Sequence, residues 1–91
     1  ILSFKSFDEV IERANDNDLG LCSYVCTNSM KTAHLASEKL ETGSVAVNTG
    51  VVAIAEAPFG GIKQSGYGRE GGSMAIKDYL NVKYTHMGIK G

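Results

Sequence analysis

The spacing of residues 21–48 constrains this chain more than any other feature. Residues 21–27 (LCSYVCT) mix β-branched and aromatic side chains without a helical period, which predicts a strand. Asn28 or Ser29 then offers an N-cap, and Ala33, Ala36, Ser37 and Leu40 recur on one helix face, predicting a helix to about Thr42. Gly43 stands where a helix places its left-handed terminal residue. Residues 44–48 (SVAVN) read as a second strand. Strand, helix and strand so spaced form a crossover, and crossovers join parallel strands in a right-handed sense. The fold class is therefore α/β, built on a βαβ unit of a parallel sheet, and the small side chains of the helix stripe allow it to approach that sheet closely.

Signals on either side extend this frame. Ser6, Phe7, Asp8 and Glu9 form a capping box, with Glu9 placed to reach back to the Ser6 amide. Phe7, Val10, Ile11 and Ala14 then make one apolar stripe. Asn15, Asp16, Asn17 and Asp18 end that helix in turn-favouring residues. This acidic run lacks the fifth-position ligand, the glycine and the terminal glutamate of a calcium loop. Residues 49–72 hold the single Pro and seven of the eleven Gly, with no period. So long an irregular stretch, carrying apolar Val51, Val52, Ile54 and Phe59, reads as an ordered loop shaped for a ligand or partner. Met74, Ile76, Tyr79 and Leu80 suggest a short helix. Residues 81–87 alternate, with Val82, Tyr84 and His86 on one face, and predict a terminal edge strand in need of a partner.

Composition excludes several functions. The 91 residues make at most one small domain, and a formal net charge of −1 gives no basic footprint for nucleic acid. Hydrophobic residues at 43% and charged residues at 21% describe a globular chain, with no apolar run long enough to cross a membrane. Cys22 and Cys26 fit neither a redox nor a zinc spacing, and along a strand their Cα atoms lie ~13 Å apart, too far for a disulfide. They read as two small buried thiols in a reducing, cytoplasmic setting. The apolar start at Ile1, Leu2 and Phe4 suggests a piece of a longer chain.

Two tempting motifs fail on context. Gly66–Gly71 (GYGREG) fits G-x-G-x-x-G by letter, but a dinucleotide fingerprint follows a strand, opens a crossover helix and needs an acidic residue about twenty positions on. Here GGIKQS precedes it, and no such acidic position follows. His34 reads as solvated in mid-helix and His86 lies on the terminal strand; neither has a nucleophile arranged beside it. No metal-ligand cluster is visible.

The glycine loop resembles a known family. Val47-Asn48-Thr49-Gly50, then Ala57 through Gly71 (APFGGIKQSGYGREG), is similar to the C-terminal signature of NAD(P)-dependent aldehyde dehydrogenases. The resemblance runs from about Phe7 to the end and includes Ala14-Asn15-Asp16, Leu19-Gly20-Leu21 and residues 78–84 (DYLNVKY). Within the family it looks most like the succinate-semialdehyde branch.

That resemblance implies oxidation of a small aldehyde to its acid, with NAD or NADP bound by an upstream domain. The nucleophilic Cys and general-base Glu would also lie upstream, so the segment alone would be inactive, with no catalytic or cofactor-binding residue of its own. It implies that residues 1–80 complete the catalytic domain and that residues 81–91 form an oligomerisation strand and tail, with 81–87 pairing in a homo-oligomer, dimer or tetramer. Phe59 would wall the substrate tunnel, and Glu70 would be a buried carboxylate supporting a proton relay. Ala53 stands where the succinate branch places a Ser that hydrogen-bonds the substrate carboxylate. From the residues alone a second reading stays open, a free-standing α/β interaction module that pairs through its terminal strand.

Overall fold

Ser6 opens the first helix as its hydroxyl accepts from the Glu9 amide at 3.2 Å, and α1 runs Phe7–Asn15. The Glu9 carboxylate reaches one residue beyond the expected target, accepting from the Lys5 amide at 2.8 Å. The computed structural model describes residues 1–90. After α1 come β1 (Leu19–Gly20), β2 (Cys22–Val25), α2 (Met30–Lys39), β3 (Ser44–Val47) and β4 (Ile62–Lys63), then a 3-10 helix over Ala75–Tyr79.

The predicted crossover is present. Strands β2 and β3 pair in parallel, with Cys22 opposite Ser44 and Val25 opposite Val47, and α2 joins them. Ser29 is the N-cap, its hydroxyl accepting from the Thr32 amide at 3.2 Å. Ala36 on α2 and Ala46 on β3 are the buried apolar side chains among the described residues.

Three expectations need correction. First, α2 stops at Lys39 and not near Thr42, because a distant side chain ends it. Asn15 donates from Nδ2 to the Lys39 carbonyl at 2.8 Å and accepts at Oδ1 from the Glu41 amide at 2.9 Å. Gly43 is therefore no helix cap; a β-carbon there would lie 1.7 Å from the Gly60 carbonyl oxygen, so it serves backbone contact. Second, the loop of residues 49–72 is not wholly irregular. Strand β4 pairs antiparallel with β1, and Phe59 bridges Glu70. Third, the two thiols are not buried: Cys22 is half-buried and Cys26 is exposed just beyond the end of β2.

Among the described residues, 81–90 are exposed and make no backbone hydrogen bond, so the predicted terminal strand has no partner among them. An alternating sequence supplies the faces of a strand, and only a neighbour supplies the ladder. The molecule measures 75 × 25 × 20 Å with a radius of gyration of 19.0 Å, against about 12 Å for a compact chain of this length. Its accessible surface is 7655 Å², where a compact protein of this mass exposes about 5,100 Å². Phe4, Leu19, Met30, Val51 and Tyr79 are among its exposed apolar side chains.

Candidate functional site

The glycine loop builds a cleft held by specific clamps. Its two limbs are joined by a reciprocal backbone pair, Phe59 and Glu70 each donating to the other's carbonyl at 2.7 Å. Arg69 clamps the inside of the loop, its Nη1 donating to the Gly61 carbonyl at 2.9 Å and the Gly68 carbonyl at 2.8 Å. Its backbone amide donates to the Asp78 carboxylate at 2.8 Å, which ties the loop to the 3-10 helix. At the base, the Ser65 hydroxyl accepts from the Gly20 amide at 2.9 Å, and the Gln64 amide donates to the Asp18 carbonyl at 2.9 Å. These contacts leave a cleft of about 560 Å³ whose lining includes Phe59, Tyr67, Arg69, Glu70 and Tyr79.

A second clamp holds the C-terminal ends of the parallel strands. Asn48 has a positive φ of 56°, a conformation Asn tolerates better than most residues. Its side-chain amide donates to the Thr27 carbonyl and accepts from the Thr27 amide, both at 2.9 Å. In the sequence Asn48 stands out only as part of the Val47–Gly50 motif. The signal was available, since an Asn closing a strand is a side chain able to mimic a backbone partner.

The predicted site residues divide. Phe59 is half-buried and lines the cleft together with Glu70. Glu70 is exposed, so this chain does not itself provide the burial that a relay carboxylate would need. Ala53 is exposed and does not line the cleft. His34 is exposed, as its mid-helix position implied, and His86 faces the Tyr84 hydroxyl at 3.1 Å between Nδ1 and Oη. On β2, Cys22 Sγ and the Tyr24 hydroxyl share a hydrogen bond at 3.6 Å; once the thiol ionises, the phenol O–H donates to the thiolate, and that bond, followed by the charge repulsion between the two groups, holds the phenol above its ordinary range. Among the described residues no group of His, Cys, Asp and Glu could hold a metal ion.

The G-x-G-x-x-G run is not a pyrophosphate cradle. Gly66, Gly68 and Gly71 all have positive φ and lie in bends or irregular backbone, with no α-helix opening after them among the described residues. A β-carbon on Gly68 would meet the Asp78 carboxylate at 2.8 Å, so an anion already occupies the face that a phosphate would approach. Residues 66–71 therefore do not fit a dinucleotide.

A loop this specifically clamped has close counterparts elsewhere. Residues 1–85 match the model of the aldehyde dehydrogenase family. The chain belongs to the aldehyde dehydrogenase family. It is 46% identical over 88 residues to the succinate-semialdehyde dehydrogenase [NADP(+)] of Saccharomyces cerevisiae, covering 97% of this chain and 18% of that protein. It is 48% identical over 88 residues to a 3-sulfolactaldehyde dehydrogenase of Pseudomonas putida, with the same 97% and 18% coverage. The fold superposes on an NAD+ complex of an aldehyde dehydrogenase from Bacillus cereus with a TM-score of 0.90 and 48% identity, covering 98% of this chain and 18% of that one. This aldehyde dehydrogenase segment thus spans about a fifth of the length of the curated relatives it matches.

Proposed function

We propose that the complete protein carrying this segment oxidises a small semialdehyde, foremost succinate semialdehyde, to the carboxylic acid with NAD or NADP as acceptor. The observation that carries the proposal is the clamped loop of residues 57–71, in a chain similar over 97% of its length to succinate-semialdehyde dehydrogenases. In this reading Phe59 forms part of the substrate wall, Ala53 lies toward the distal anion of the substrate, and Glu70 supports proton transfer once further residues of the protein cover it. The nucleophile, the general base and the cofactor site come from outside residues 1–91, so this segment alone is inactive. Residues 1–80 complete the catalytic domain, and residues 81–87, unpaired here, add to the sheet of another subunit in a homo-oligomer. The cytoplasm is its compartment.

The test is a substrate panel on the complete protein, following reduced cofactor with NAD+ and with NADP+. Succinate semialdehyde is expected to exceed glutarate semialdehyde and 3-sulfolactaldehyde in kcat/KM by about tenfold, roughly 1.4 kcal/mol of transition-state discrimination. A preference for either competitor overturns the substrate assignment. Absence of oxidation with every aldehyde overturns the activity.

A further inference from the structure

Lys63 holds a backbone conformation that its residue type does not favour. Among the described residues it and Asn48 are the two non-glycine positions with positive φ, Lys63 at 55°. Asn48 is accounted for by its own amide, which closes on Thr27. A lysine has no such local partner, and glycine would take this dihedral angle without strain. Its compensation lies at the far end of the side chain.

The Lys63 ammonium has three acceptors around it. It donates to the Asn15 carbonyl at 3.0 Å and the Asn17 carbonyl at 3.2 Å, and pairs with Glu41 Oε2 at 2.7 Å. Asn15 is the last residue of α1, so the cation sits at the negative end of that helix, 48 positions away in sequence. Asn15 is also the residue whose side chain ends α2. One ammonium therefore joins the glycine loop to the ends of both helices. The loop continues from β4 through Gly61, whose carbonyl takes the Arg69 guanidinium, to the Phe59–Glu70 pair.

We infer that Lys63 is a positioning residue for the substrate wall, fixing through α1 and α2 where Phe59 and Glu70 stand. The inference rests on the proposed function in one respect only, that Phe59 borders the aldehyde. Its arm of the experiment that reads backbone protection does not depend on that reading.

The complete protein is compared with its Lys63→Met, Lys63→Gly and Lys63→Arg variants. Amide hydrogen exchange at Phe59 and Glu70 should accelerate about tenfold in Lys63→Met and Lys63→Gly, and stay near wild type in Lys63→Arg. Lys63→Gly separates the two possible roles, because it relieves the dihedral while deleting the ammonium. With an aldehyde that the wild type oxidises, KM for that aldehyde should rise about tenfold in the Met and Gly variants, KM for the cofactor should hold, and Arg should restore the first. Unchanged protection of Phe59 and Glu70 in both Met and Gly variants overturns the anchor. Changed protection with unchanged aldehyde KM overturns its role in the substrate wall. A wild type that oxidises no aldehyde overturns the proposed function and leaves exchange to decide the anchor.

Discussion

Replacing Gly43 with alanine places a methyl group where the backbone of another segment already lies. The new β-carbon would stand 1.7 Å from the Gly60 carbonyl oxygen, 2.8 Å from the Gly60 carbonyl carbon and 3.1 Å from Gly61 Cα. All three are backbone atoms, so no side chain can swing aside. Real β-carbons do not approach closer than 3.0 Å, which requires β3 and the loop to part by the difference, 3.0 − 1.7 = 1.3 Å. The Gly43 amide donates to the Gly20 carbonyl at 3.0 Å, and a bond of that length does not survive a displacement of this size. Losing it costs about 1 kcal/mol, and strain from overpacking adds roughly 1–3 kcal/mol. Against this, alanine restricts the unfolded chain, which stabilises by about 0.4–1 kcal/mol at a position without positive φ. The steric effect wins, and the net destabilisation is roughly 2 kcal/mol. Measured on the complete protein by native-state hydrogen exchange, the Gly43 and Ser44 amides should exchange about thirtyfold faster, since each 1.4 kcal/mol is tenfold. Gly50→Ala, whose β-carbon would meet no atom of the described residues within 4 Å beyond its chain neighbours, is the comparison and should leave exchange near wild type. If Gly43→Ala exchanges at the wild-type rate, the contact between Gly43 and Gly60 does not bear on stability and the reasoning fails.

Asn48→Ala should destabilise the β2–β3 pair by about 1–3 kcal/mol, from two lost hydrogen bonds and a strained dihedral, and Asn48→Gly by less; chemical denaturation of the complete protein separates them, and equal losses would assign the whole effect to the amide. The isolated 91-residue chain should unfold without a cooperative transition, because roughly 2,500 Å² of surface stands exposed beyond what a compact chain of its mass shows; a sharp calorimetric peak at low concentration would contradict this. Ala53→Ser in the complete enzyme should lower KM for succinate semialdehyde by about tenfold or more, as one added hydrogen bond to a charged group contributes about 1.5–3 kcal/mol, and an unchanged KM would remove Ala53 from the substrate site.

What the sequence disclosed and what it withheld follow one physical division. Both helix starts were legible because a cap is local: Ser6 and Ser29 each hold an amide three residues away. The parallel pair was legible because a strand, a helix and a strand of these lengths leave the backbone little choice. The end of α2 was not legible, because Asn15 imposes it from 24 positions away. Strand β4 was hidden for the same reason, since its partner β1 lies more than forty residues earlier and both are only two residues long.

The candidate site repeats that division in a sharper form. The glycine run and Phe59 stood out as letters, whereas the residues that hold them, Lys63 and Arg69, act through contacts no local pattern announces. The loop is shaped from within, by its clamps, and its internal geometry is a property of this chain. The burial of Glu70 and the pairing of residues 81–87 belong to the proposed function and would need atoms that residues 1–90 do not supply. A carboxylate becomes a relay when its surroundings exclude water, and an alternating segment becomes a strand when another backbone meets its edge. The exposed surface states the same requirement in area: apolar side chains from Phe4 to Ile89 face solvent, and a chain that leaves so much apolar surface open is shaped to be covered.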